Sequence, residues 1–497
     1  MNPTTEQQQA IELFLSGGSL AIEAGAGTGK TSTLVLIAGA AGSRRGQYVA
    51  FNKALVEDSA GKFPMTVASN TAHSLAYRAM MNPDRRRRLS DSARVPGWEL
   101  ARRLGIGPSY VTDFEGKPKV LQPQFLAGHL NRAVTLFCQT ADPELTVRHF
   151  PYIDGLDAPT IEGRRTYATN LKIATELLPI AQRAWDDLQR PYGQMPFKHE
   201  HYLKMWQLAG PRIDADYILF DEAQDANPVI AAIVAAQDHA QLIYVGDSQQ
   251  EIYGWTGAIN ALGAVAVDNR SYLTQSFRFG QAVADEANAI LDMIPDAEIR
   301  LTGNPAIESV VKSVTRPTAI LTRTNAVGIE RLLTLQKADV RATYLGGSND
   351  VLSFARGAMQ LQLTGNTGHP DLACFDSWAA VLDYVKNDTE GAELALNVSL
   401  IEKFGPEEII FGLEHMPPER MAEVVISTAH RSKGRQWSSV QLGTDFRLTR
   451  MTKEGVKVPV TPEELRLLYV AVTRAQHQLD IDILGGSVEA GMEGDPL

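Results

Sequence analysis

The stretch "AGAGTGKT" at residues 24–31 combines three glycines with a lysine and a hydroxyl. It follows an apolar run, "SLAIEAG", and opens one of helical character, "KTSTLVLIAGA". Gly25, Gly27 and Gly29 let backbone amides approach an anion closely, and a helix N-terminus adds its positive end. In this strand-to-helix context the pattern predicts a phosphate-binding loop. Lys30 then reaches the terminal phosphates of a nucleotide, and the Thr31 hydroxyl holds Mg²⁺. A second stretch, "YILFDEAQD" at residues 217–225, is an apolar strand ending in adjacent acids. Asp221 suits the Mg²⁺ shell, and Glu222 suits orienting or deprotonating an attacking water. Hydrolysis also needs positive charge on the γ-phosphate. Arg278 in "TQSFRFG" and Arg474 in "LLYVAVTRAQ" compete for that role, and from spacing alone each could equally be a surface ion pair.

A third stretch, "GDSQQEIYGWTGA" at residues 246–258, begins at a strand end and finishes with Tyr253 and Trp255 in a loop. A glutamine can touch a phosphate or its water, and an indole can stack on a base. A segment carrying both joins two ligands.

The elements that must position these residues follow from the pattern. Strand and helix signals alternate through "QYVAFN", "TVASNTAHSLAYRAM", "YILF" and "QLIYVGD", which predicts an α/β unit on a parallel sheet. Residues 81–210 read as mainly helical, an inserted subdomain. A second α/β unit runs over 269–345 and 421–484 and contains "TAILTRTNA", "VVISTAH" and "QLDIDIL". Residues 346–420 read as a second, reduced insertion, and 485–497 as a flexible tail. The first unit is thus 1–80 with 211–268.

Composition sets limits. A chain of 497 residues is too long for one core. A hydrophobic content of 44% and a charged content of 21% are ordinary for a globular protein. The net charge of −11 argues against a protein that coats nucleic acid nonspecifically, yet leaves room for a local basic groove. Cys138 and Cys374 are too few for a disulfide framework or zinc site and fit a reducing cytoplasm. The N-terminal residues lack signal-peptide character, and no apolar run approaches the roughly 20 residues of a membrane span. The run "DRRRRLSDSARVPGWELARRLG" carries seven arginines against three acids, either a backbone-contacting patch or a solvated helical face.

Taken as a set, "PTTEQQQAI", "AGAGTGKT", "AFNKAL", "TAHSLAY", "FDEAQD", "GDSQQEIYGWTGA", "QSFRFG", "ILTRTNA", "STAHRSKGRQW" and "LRLLYVAVTRA" occur in the order found in UvrD/Rep-type superfamily 1 DNA helicases, and the chain resembles that family from Pro3 to Gln476. "AFNKAL", "HSLAY" and "HEHYLKMW" are most similar to the F-box DNA helicase branch and its bacterial and viral relatives, although no F-box segment is evident. The resemblance implies two RecA-like P-loop domains with parallel sheets, each carrying an insertion, with ATP and Mg²⁺ as cofactors. It implies an ATP-binding stretch through Ala24, Gly25, Ala26, Gly27, Thr28, Gly29, Lys30, Thr31 and Ser32. Gln7 then reads adenine, Phe277 stacks on it, and Gly434 and Gln436 approach the ribose and phosphates. Gln250 senses the γ-phosphate, and Arg278 and Arg474 take the γ-phosphate arginine positions.

Single-stranded DNA contacts implied by position are Phe51, Asn52 and Lys53; Thr71, His73 and Ser74; Tyr253 and Trp255; Thr322, Arg323 and Asn325; and Thr428 and His430. Hydroxyls, amides and imidazoles bond phosphates without reading sequence, and each of these residues could otherwise be a helix cap. The same contacts are compatible with RNA. This sequence departs from the family at Ala24, Ser32, Thr256, Arg435 and Gln436. The implied activity is ATP-driven translocation on single-stranded DNA and unwinding at single-strand/duplex junctions, 3′ to 5′, in repair, recombination or replication. It implies a minimal monomer, recombination or repair proteins as partners, and no membrane. The alternatives are a translocase that strips proteins from DNA with weak unwinding, and a regulatory ATPase subunit of a larger complex.

Overall fold

The computed structural model describes residues 3–90, 95–113, 115–153, 155–157, 168–252, 261–295, 297–373, 375–387, 392–451, 456–486 and 488. The chain divides into two units. One comprises Met1–Glu23 with Lys30–Ser271, the other Ala24–Gly29 with Tyr272–Leu497.

In the first unit the strands Val67–Thr71, Gly46–Ala50, Tyr217–Phe220, Gln241–Gly246, Leu20–Ala24 and Asn269–Leu273 lie side by side in that order. The first five pair in parallel. Tyr217–Phe220 and Gly46–Ala50 are buried at every position, as apolar strands covered on both faces must be. The strand Asn269–Leu273 completes this sheet, so the second α/β block expected from Asn269 onward opens on a strand of the first.

The expected helical stretch supplies Pro83–Ser90, Gly97–Leu104, Pro123–Gln139, Ala168–Gln189 and His199–Leu208, with a two-stranded antiparallel ribbon of Ser109–Thr112 and Pro118–Leu121. Its apolar faces do not form a separate core. Leu130, Phe137, Trp185 and Tyr202 belong to one hydrophobic cluster with Ile218, Phe220 and Tyr244 of the sheet. Burial of that continuous apolar surface is what fixes the helices against the strands.

The second unit has the order Ala342–Leu345, Val424–Thr428, Ala319–Thr322, Trp437–Leu442, Ala475–Asp480 and Val310–Val311, all parallel. Helices Ser348–Thr364, Trp378–Asn387, Ala392–Phe404 and Pro406–Glu414 occupy the expected second insertion. They too share a core with their sheet, through Phe354, Ile401 and Ile409 against Ile320, Tyr344 and Ile426. Among the described residues no helix is long and apolar enough to cross a membrane.

Candidate nucleotide and nucleic-acid site

Three neighbouring parallel strands of the first sheet end in the residues that matter. Leu20–Ala24 runs into the glycine loop and the helix Lys30–Ala40. Tyr217–Phe220 runs into Asp221 and Glu222, and Gln241–Gly246, lying between them, runs into Asp247. Parallel pairing puts all three carboxyl ends on one edge, the edge where open α/β sheets bind ligands.

The loop conformation depends on its glycines. Gly27 has φ +75° and Gly29 φ +80°, in the region that L side chains rarely adopt. A Cβ on Gly27 would also lie 2.7 Å from both Arg278 Cβ and Ser276 Oγ. The loop is held by hydrogen bonds: Thr28 Oγ1 donates to Gly25 O at 2.9 Å, Phe277 N to Gly27 O at 2.8 Å, and Tyr469 OH accepts from Ala26 N at 3.2 Å.

Asp221 is 1% exposed and accepts hydrogen bonds from Tyr48 OH at 2.7 Å and from the Glu222 amide at 2.9 Å. Glu222 takes a left-handed conformation, φ +53° and ψ +45°, which costs a non-glycine residue roughly 1–2 kcal/mol. Such strain is kept where it aims a side chain. Here Glu222 Oε2 accepts from Lys30 Nζ at 3.2 Å and from Gln224 Nε2 at 2.6 Å. Gln224 Oε1 in turn accepts from Asp247 N at 3.1 Å, tying the acidic pair to the next strand end. The fully buried Asp247 accepts from Gln249 N at 3.1 Å and from Gln250 Nε2 at 2.7 Å. Glu23, the residue before the glycine loop's strand end, accepts from Ser248 N at 2.7 Å and Ser248 Oγ at 2.8 Å.

The electrostatics follow from this crowding. Burial works against the charged form of Lys30, but Glu222, Asp247 and Asp221 outweigh it and raise its pKa. Burial and the neighbouring Glu222 raise Asp221, and burial with Asp247 pushes Glu23 up to about 7. One ammonium faces Glu222, Asp247, Asp221 and Glu23, so the pocket carries a surplus of negative charge that a divalent cation relieves. The Thr31 hydroxyl and the Asp221 carboxylate are hard oxygen donors of the kind Mg²⁺ accepts. Among the described residues no group of three or more His, Cys, Asp or Glu is arranged for a metal.

The remaining nucleotide-site expectations fall as follows. The Gln7 carboxamide is engaged at both ends, accepting from Thr4 N at 3.1 Å in a capping box and donating to Thr33 Oγ1 at 3.1 Å. Ser32 is exposed. Phe277 is 45% exposed, so its ring is open to a stacking partner. Arg278 Nε donates to Gln436 Oε1 and Nη1 to Thr473 O, both at 2.9 Å. Arg474 is 1% exposed and donates to Val470 O at 2.9 Å, Arg435 O at 3.3 Å and Thr473 Oγ1 at 3.2 Å. Gly434, with φ +83°, stands in open space next to this group.

The expected strand contacts also gather at strand ends. Phe51, Asn52 and Lys53 follow Gly46–Ala50, and Thr71, His73 and Ser74 lie at the end of its parallel neighbour Val67–Thr71. Phe51 is exposed; Asn52 caps the helix Lys53–Asp58, and Lys53 pairs with Glu57 at 3.2 Å. Thr71 and Ser74 cap reciprocally. His73 lines a hollow of about 580 Å³ with Ser74, Tyr77, Arg78, His199 and Tyr202. Burial and His199 lower its pKa, which favours the neutral imidazole.

In the second unit, adjacent parallel strands place Thr322 directly beside Thr428. Thr322 is buried and its hydroxyl donates to Thr324 O at 2.9 Å. Arg323 pairs with Glu464 at 2.5 Å, and Asn325 accepts from Tyr344 OH at 2.7 Å. Thr428 caps the turn that holds His430, whose pKa burial and Arg323 lower. Tyr253, Trp255 and Thr256 lie outside the described residues.

Two arginines of the run, Arg85 and Arg88, are structural. Arg85 donates to Met80 O and Gln189 O at 2.6 Å, and Arg88 to Leu188 O, Arg190 O and Met195 O. Arg102 and Arg103 share Glu99. Arg94 is outside the described residues. Sequence reasoning had not singled out Glu23, Tyr48, Gln224 or Asp247. The available signal was an acid inside the otherwise apolar run "SLAIEAG".

The model of an AAA domain matches residues 7–256. The chain is 30% identical to F-box DNA helicase protein 1 of Schizosaccharomyces pombe, over 96% of this chain and 57% of that protein. It is 28% identical to F-box DNA helicase 1 of Gallus gallus, over 98% of this chain and 52% of that protein. A probable DNA helicase II homolog of Mycoplasma pneumoniae is 37% identical across 16% of this chain and 12% of its own length. The chain spans about half the length of the two F-box relatives. The strand–loop–helix around Lys30, the acidic pair beside it and the domain match agree, and the chain belongs to the UvrD-like helicase family, built on two RecA-like sheets.

Proposed function

We propose that this chain hydrolyses ATP at the Lys30–Asp221–Glu222 edge and uses the cycle to move along single-stranded DNA, 3′ to 5′, separating duplex at junctions. The observation that carries the reading is the geometry of Glu222. A strained backbone and two hydrogen bonds aim its carboxylate at the loop lysine.

Phosphates lie on the amides of residues 25–31, where the helix N-terminus favours anions. Lys30 exchanges Glu222 for the terminal phosphate oxygens. Glu222 then accepts a proton from the attacking water while the bond between the γ-phosphorus and the β,γ-bridging oxygen breaks. Thr31 and Asp221 would hold Mg²⁺, which supplies charge neutralisation on the phosphates. Arg278 and Arg474 add positive charge at the γ-phosphate, and Phe277 and Gln7 take the adenine. Gln250, on the turn after Asp247, senses the γ-phosphate, and the chain continues into Tyr253 and Trp255, which grip the strand. The DNA names of the F-box relatives support the choice of nucleic acid.

The test is strand displacement on duplexes carrying either a 3′ or a 5′ single-stranded tail. Displacement from the 3′-tailed duplex alone, dependent on ATP, is the expected result. Displacement from the 5′-tailed duplex alone would reverse the polarity. ATP hydrolysis stimulated by single strand without displacement from either would favour a protein-stripping translocase.

A further inference from the structure

Glu23 has no part in the phosphate chemistry described above, yet it is among the most tightly engaged acids of the first unit. Both of its carboxylate oxygens accept from a single residue, Ser248, at 2.7 and 2.8 Å. Its strand pairs in register with Gln241–Gly246, Glu23 lying opposite Gly246. A carboxylate gripping one residue through two bonds fixes direction as well as distance. Glu23 immediately precedes the loop that receives phosphates. Ser248 immediately precedes Gln249 and Gln250 and opens the segment that runs to Trp255. Lys30 and Asp247 are the charged groups that act on Glu23.

We propose that Glu23 is a positioning residue that couples nucleotide occupancy to strand affinity, by fastening the Ser248–Gln250 turn to the strand that leads into the phosphate loop. The proposal rests on the ATP-driven motor reading. Gln224 Oε1 accepts from the Asp247 amide, and Asp247 caps Gln249, so these two bonds reach Asp247 and not Ser248. Loss of Glu23 removes both bonds by which Ser248 is fastened to the strand before the loop, without removing any phosphate contact.

Affinity coupling between two ligands is reciprocal and is read as a ratio, independent of either affinity alone. The experiment measures binding of a fluorescein-labelled oligo-dT to the full chain by anisotropy, with and without adenosine 5′-(β,γ-imido)triphosphate. It compares wild type with Glu23→Ala, Glu23→Gln and Ser248→Ala. Wild type should show a change in oligonucleotide Kd of at least about fivefold on adding the analogue, and Glu23→Ala a change within about twofold of none. Ser248→Ala, which keeps the backbone bond, and Glu23→Gln, which keeps one acceptor, should fall between. A wild-type ratio in Glu23→Ala overturns the proposal. If Glu23→Ala does not fold, wild-type ratios in both Glu23→Gln and Ser248→Ala overturn it equally. A wild type with no ratio and no ATPase stimulation by oligo-dT overturns the motor reading, and the coupling role with it.

Discussion

Lys30 Nζ donates to Glu222 Oε2 at 3.2 Å, in a pocket where both side chains are mostly shielded from solvent. In the proposed mechanism these are the phosphate-binding cation and the general base, so a γ-phosphate would compete for the lysine before the carboxylate acts on water. Glu222→Gln keeps the shape and the acceptor for Lys30 but cannot take a proton. It should lower the ATPase kcat by about 10²–10⁴-fold, the usual weight of a general base, while ATP still binds. Steady-state rates paired with a fluorescent-nucleotide titration check this. Comparable losses of binding and kcat would assign Glu222 to phosphate-site structure instead.

Glu23 gives the unliganded protein a recognisable pH signature. Its carboxyl is pushed from an ordinary 4.5 up to about 7 by burial and Asp247. The folded state therefore holds this proton more tightly than the unfolded state does. Its contribution to stability is full below about pH 4.5 and is lost as pH rises through about 7. The stability difference between wild type and Glu23→Gln should shift against wild type by about 3 kcal/mol across that window, and level off above it. Urea melts of both proteins at pH 5, 6, 7 and 8 measure it. Parallel curves would show that Glu23 does not carry the buried proton.

Gly27 combines a positive φ with neighbours 2.7 Å from any added Cβ. Gly27→Ala should destabilise the fold by about 1–3 kcal/mol and abolish ATP binding, because both strain and overlap fall on the loop itself. Gly39 has φ in the ordinary range and open space around it, so Gly39→Ala is the matched control, expected to be neutral or mildly stabilising. Thermal melts with and without ATP report both quantities.

The two arginines should separate by stability. Arg474 is a large, fully buried side chain that bonds the Val470 and Arg435 carbonyls, so Arg474→Ala removes those bonds and leaves a cavity, and should cost about 2–4 kcal/mol. Arg278 makes its bonds to Gln436 and Thr473 O from a more open position. Arg278→Ala should suppress hydrolysis with a stability change under about 1 kcal/mol. Equal destabilisation by both would make Arg278 structural.

What could be read in the sequence divides along physical lines. The glycine loop, "YILFDE" and "QLIYVGD" announce themselves because buried parallel strands are continuous apolar runs with chemistry at their carboxyl ends. Other strands were harder: the edge strand Val310–Val311 is two residues long, and the internal strand Trp437–Leu442 carries serines and a glutamine. The partnership of Glu23 with Ser248 spans more than two hundred residues of chain and depends on strand order, which no local pattern encodes. The arginine run shows the opposite failure. Clustered charge suggests a surface patch, but Arg85 and Arg88 are consumed by carbonyls at the end of the helix Ala168–Gln189 and just beyond it.

The central claim is that nucleotide hydrolysis answers to a single strand of DNA. It is tested most directly by the steady-state ATPase rate of the purified chain alone, with single-stranded DNA, with duplex DNA and with single-stranded RNA, alongside Trp255→Ala. Stimulation by single-stranded DNA is predicted. In Trp255→Ala the DNA concentration needed should rise about 5- to 100-fold, the worth of one stacked base. A rate indifferent to every nucleic acid would contradict the account and leave a regulatory nucleotide switch in its place.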